Sequence, residues 1–218
     1  MSVAKIDKLA VLCIACVISV TGYCAEQQTE PDPENFRFAL PAGYVVTDHD
    51  VHPQYKGAIV TLSPKNSVQS EDGVEQKVLR VQTYLAKHYP NDFAQAAKKP
   101  KEFLHELIAS QLKSKCSEHT VDSGIVRRRS GKIRINWWTS CRSALSNGVH
   151  EYERGRLFLS KKGAYLLSHI NRSENSKHRF ATKEVKWFDK YLYNSGFCKT
   201  GENCGQEGAL LAKIFEEQ

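Results

Sequence analysis

The 218-residue sequence lacks the short patterns that mark the common chemistries. It has no G-x-G-x-x-G for a dinucleotide and no G-x-x-x-x-G-K for a phosphate. It has no G-x-S-x-G to seat a nucleophile and no H-E-x-x-H to set two zinc ligands on one helical face. It also lacks an internal repeat, which sets solenoids and propellers aside. Long apolar runs are missing too. The one stretch apolar enough to interest a membrane is Leu9 to Val20, shorter than the roughly 20 residues a spanning helix needs. What remains is ordinary in bulk. Hydrophobic residues are 41% and charged residues 25%, which places the chain among soluble globular proteins with room for one domain or two small ones.

The apolar run has the parts of a secretory signal. Lys5 and Lys8 precede it and small residues follow, so residues 1–25 read as a signal peptide. The expected location is periplasmic or secreted, with no membrane-spanning helix after cleavage. Cys24 opens the alternative of a lipid anchor. Residues 26–35, with two prolines, read as a linker, residues 36–197 as the domain, and residues 198–218 as a disulfide loop with a tail helix over 207–215. Export changes how the cysteines read. Of seven, Cys13, Cys16 and Cys24 fall in the signal, leaving Cys116, Cys141, Cys198 and Cys204. In an oxidising compartment these mean two disulfides before a metal site. Three connectivities are open, and proximity favours 198–204, which leaves 116–141.

Hydrophobic periodicity places the elements. Phe36 to Leu40 and Tyr44 to Thr47 read as short strands. Gly57 to Leu62 reads as a strand buried on both faces, and Lys77 to Leu85 as another. Asn91 is a plausible cap for a helix over 92–97, and Lys101 to Lys115 is amphipathic. His119 to Arg127 and Lys132 to Cys141 pair through a Ser130-Gly131 turn. That turn would set Cys141 opposite residue 120, so the cysteines tie the helix end at Cys116 down onto the sheet. Val149 to Ser160 and Ala164 to Asn171 are further strands, and Thr182 to Asn194 is the last long helix. The elements therefore read as α+β, an antiparallel sheet with packed helices, stapled by disulfides.

Several groups of residues could carry function. Asp48 to Tyr55 reads as a loop in which His49 and His52, with neighbouring aspartates, could hold a transition metal. Pro53 makes an ordinary polar turn the competing reading. Glu102, His105 and Glu106 read as a solvated helix face. Glu151 and Glu153 share a strand face; as an acid–base pair they would need a cleft between them, and the plainer reading is an exposed strand face. The densest positive charge is Arg127, Arg128, Arg129, Lys132 and Arg134, with Trp138 as a stacking surface. On a chain of formal net charge +7 this hairpin is a candidate for a polyanion or an anionic lipid, against the plainer reading of a solvated tip.

The opening FALPAGY (Phe38, Leu40, Pro41, Gly43, Tyr44), followed by the order of strands and helices over residues 36–197, resembles the PsbP-like family and its bacterial envelope relatives of the DcrB type. The resemblance implies an α+β fold in which an antiparallel sheet is sandwiched by helices, used mainly for binding and assembly, and it transfers no catalytic residues. The expected function is thus an exported, non-catalytic binding or accessory protein of the bacterial envelope. It would have no cofactor, and its partner would be an envelope protein or polyanionic surface rather than a specific nucleic-acid sequence. Two alternatives stand beside it. One is a periplasmic hydrolase or metal enzyme, in which His49, His52, His105, His119, His150 or His169 would converge with carboxylates. The other is polyanion or lipid binding through residues 127–134.

Overall fold

The structure is a computed structural model that describes residues 36–38, 41–51, 57–65, 76–143, 149–173 and 180–198. The expected signal peptide and linker, His52, Cys204 and the tail helix lie outside the described residues. In chain order the elements are β1 (Phe36–Arg37), β2 (Tyr44–Val51), β3 (Ala58–Pro64), β4 (Gln76–Leu85), a single 3-10 turn, α1 (Pro90–Lys98), α2 (Pro100–Lys113), β5 (Cys116–Ser123), β6 (Arg127–Arg129), β7 (Lys132–Ser143), β8 (His150–Leu159), β9 (Gly163–Ser173), α3 (Thr182–Asn194) and β10 (Gly196–Phe197). The main sheet runs β2-β3-β4-β9-β8-β7-β5, with β6 pairing to β7 beyond the end of β5, and every pairing is antiparallel. β1 and β10 form a separate antiparallel pair.

Alternation along the central strands makes two cores. On one face Ile133, Ile135 and Trp137 of β7, Leu157 and Leu159 of β8 and Leu166 of β9 pack with Leu104, Leu107, Ile108 and Leu112 of α2. On the other, Leu79 and Val81 of β4, Phe158, Tyr165 and Leu167 pack with Phe188, Tyr191 and Leu192 of α3. The sheet thus lies between helices on both faces. Each fully buried leucine or phenylalanine stabilises this arrangement by roughly 1.5–3 kcal/mol. One glycine is fixed by close approach. Gly155 lies opposite Trp137, and a Cβ there would fall 2.6 Å from the Leu167 carbonyl oxygen and 2.7 Å from the indole.

Several expectations change. β3 is not buried on both faces, because Ala58, Val60 and Leu62 are buried while Ile59 and Thr61 are only half-buried. β2 runs through Asp48, His49 and Asp50, so half of the expected metal-binding loop is strand. Its pleat puts His49 on the face opposite both aspartates. Pro90 opens α1 in place of Asn91, since its missing N–H costs nothing in a first turn. Cys116 starts β5 rather than ending a helix. Cys116 and Cys141 are disulfide-bonded, with their α-carbons 5.5 Å apart. Cys116 lies opposite Ser143 and Cys141 opposite His119, so the bridge is diagonal between two strands just where the chain leaves α2. Cys198 is also disulfide-bonded.

Candidate functional site

The basic hairpin is built by its turn. Ser130 has φ 49° and Gly131 φ 73°, the two left-handed residues of a type I′ turn, whose twist matches that of the flanking strands. The tight turn fixes the register: Arg129 lies opposite Lys132, Arg128 opposite Ile133, and Arg127 opposite Arg134. Ile133 points into the core with α2. The pleat therefore sends Arg127, Arg129, Lys132 and Arg134 to the other face, where Asn136 and Trp138 continue the row. Like charges directly opposite one another on a strand pair repel. Here two such pairs stand side by side, and no carboxylate among the described residues pairs with Arg127, Arg129 or Arg134.

Neighbouring strands extend the row. On β8, Arg156 lies opposite Asn136 and Arg154 opposite Trp138. Arg156 donates to Asn136 Oδ1 at 2.7 Å and to the Leu192 carbonyl at 3.2 Å, and Arg154 donates to Asp189 at 2.7 Å. Burial, then Arg134, pulls the Arg156 guanidinium below its usual value; Asp189 opposes this, and Arg127 and Arg154 add to it. Trp138 is 48% exposed. Carboxylates join the row from there, with Asp122 opposite Trp138 and Glu118 opposite Arg142. The unbroken run of positive charge therefore lies at the hairpin end of the sheet.

Sequence reasoning missed two parts of this surface. The first is a pair of lysines. Arg128, on the α2 side, donates to the Ala97 carbonyl at 2.9 Å, which brings the hairpin to the end of α1 beside exposed Lys98 and Lys99. The run AKKPK is legible as basic, but only the fold shows that it meets residues 127–129. The second is a bulge. Gly124 donates to the Asn136 carbonyl at 2.8 Å, while Arg127 already lies opposite Arg134. One extra residue on the edge therefore separates β5 from β6, leaving Ile125 81% exposed. The same extra residue moves Cys141 from its expected place opposite residue 120 to one opposite His119.

The carboxylate pair is placed otherwise than expected. Glu151 and Glu153 are buried on the α2 face, not on an exposed one, and Glu153 is only 2% exposed. Glu153 accepts from Arg80 at 3.3 Å and from the Ser168 hydroxyl at 2.5 Å. Glu151 accepts from Lys115 and from Arg172, at 2.5 and 2.7 Å. Burial alone would raise the Glu151 carboxyl, but Lys115, Arg172 and Arg80 outweigh it and hold the group at about 2. Glu151 is thus held ionised between two cations, and Glu153 is tied to Arg80 and Ser168, the arrangement of a structural ion network rather than of a proton donor.

The described histidines do not converge. His49 is exposed on β2, at the opposite edge of the sheet from His119 on β5. His105 Nε2 lies 3.1 Å from the Ser123 hydroxyl, and His150 begins β8. His169 is buried under α3 among Phe180, Trp187 and Phe188, and its Nδ1 has no hydrogen-bond partner. Among the described residues no three His, Cys, Asp or Glu side chains gather to hold a metal ion. Trp187 and Tyr191 stack on one another, Tyr191 inside the α3 core and Trp187 exposed beside it.

No family model and no curated protein matches the chain. Any functional reading therefore rests on the geometry of the hairpin. Among the described residues no helix is long and apolar enough to cross a membrane.

Proposed function

We propose that this chain is an exported, non-catalytic binding protein of the bacterial envelope, of the PsbP-like type, and that its ligand is a polyanion held by the basic hairpin. One observation carries the proposal: Arg127 opposite Arg134, and Arg129 opposite Lys132, with the three arginines exposed and no carboxylate among the described residues paired with them. Such a face costs the free protein electrostatic repulsion, and an anion lying across it relieves that cost. Arginine suits phosphate and sulfate better than lysine does, because its planar fork binds two oxygens at once. Trp138, two rungs along the same row, offers a ring on which a sugar or base can lie.

The test is retention on a heparin column. The triple substitution Arg127→Ser, Arg129→Ser, Arg134→Ser should elute at clearly lower salt than the parent. The parent's affinity should fall linearly with the logarithm of salt concentration. Equal retention of the two proteins would overturn the proposal.

A further inference from the structure

The exposed side chains around the hairpin point to more than a soluble polyanion. Ile125 stands 81% exposed at the bulge between β5 and β6. It follows Gly124, where an added Cβ would lie 4.0 Å from the edge of the Trp138 indole. An aliphatic and an aromatic side chain are thus both exposed along this edge of the sheet, which also carries Arg127. The hairpin's edge is basic on both faces, with Arg127 and Arg129 on one side and Arg128 on the other, and Arg128 draws in Lys98 and Lys99 from α1. A linear glycan or nucleic acid uses the cations and the indole, but gains nothing from an exposed isoleucine. A bilayer uses all three. Phosphate headgroups meet the cations, the indole sits at the headgroup level, and the aliphatic group enters the acyl boundary.

We propose that this edge docks on an anionic lipid surface, with Ile125 and Trp138 inserted and Arg127, Arg129, Lys98 and Lys99 against the headgroups. The proposal rests on the polyanion reading above and names its partner. Edge-on approach leaves α3, which rises from the sheet face beside Arg154 and Arg156, clear of the membrane.

The experiment is sedimentation of the full chain with large unilamellar vesicles, either phosphatidylcholine alone or phosphatidylcholine with 30% phosphatidylglycerol, alongside heparin retention. Binding should require the anionic lipid. Each cation near the surface contributes about fivefold, so Arg127→Ser with Arg129→Ser should weaken vesicle binding about 25-fold. Ile125→Ser should weaken vesicle binding about fivefold while leaving heparin retention unchanged. Trp138 emission should shift to the blue on vesicles, and Trp138→Phe should abolish that shift. Thermal melts matching the parent check that each variant is folded. If heparin retention falls with the arginine substitutions but Ile125→Ser leaves vesicle binding unchanged, the lipid proposal is overturned and the polyanion reading stands. If neither ligand responds to the arginines, both fail.

Discussion

Glu151 and His169 are buried ionisable side chains on opposite faces of one sheet, and acid reaches them in turn. Burial, opposed by Glu184 and reinforced by Arg154 and Lys77, lowers the His169 imidazole from 6.5 to about 4. An unfolded chain takes up that proton near 6.5, while the folded chain refuses it until about 4. Stability is therefore complete above 6.5 and falls through this window, by at most about 1.4 kcal/mol per pH unit. Glu151 acts lower. Its carboxyl, ordinarily near 4.5, is held at about 2, so its contribution is intact above 4.5 and is lost as the pH falls towards 2. Urea midpoints measured between pH 7 and pH 3 should decline in two stages. Replacing His169 with Phe should flatten the first stage alone; an unchanged first stage would show that another group causes it.

Between elements, the Cys116–Cys141 bridge and the basic hairpin share strand β7 but do separate work. The bridge closes a loop of 25 residues where the chain leaves α2. In the chain-entropy model it stabilises by roughly 3 kcal/mol. The hairpin's shape comes from the Ser130-Gly131 turn and the bulge at Ile125, both at the far end of the strand. The double substitution Cys116→Ser, Cys141→Ser should then lower the free energy of unfolding, read from urea titration, by that amount, while heparin retention of the folded protein stays at the parent's value. A retention loss equal to that of the arginine triple would mean the bridge shapes the binding face, contrary to this division.

Across the whole molecule, what sequence pattern conveys is local, and what it misses is where local pieces meet. The α2 and α3 helices, the hairpin turn and the alternating face of β7 were legible because each rests on a period or a pair of turn residues. The burial of Glu151 and Glu153 was not, because it depends on Arg80, Lys115 and Arg172 arriving from three other segments. A strand period names a face without saying what covers it. The bulge escaped for a similar reason: one extra residue leaves no mark in the pattern of GIVRRR, yet it shifts the pairs of β5 on the far side of it from the turn. Coverage also sets where the molecule should open. β9 is the middle strand of seven, and nearly all its residues are buried between the two helical layers. β2 and the β5–β6 edge each have one neighbour and mostly exposed side chains. Free energies of local opening rise with burial and shared hydrogen bonds. Hydrogen exchange read by mass spectrometry should therefore protect β9, β8 and β4 longest and release β2 and Arg127–Arg129 first. Anionic vesicles should then slow exchange at residues 124–129 without changing β2, since only the basic edge meets the lipid. Protection appearing at β2 instead would place the contact on the wrong side of the sheet for this proposal.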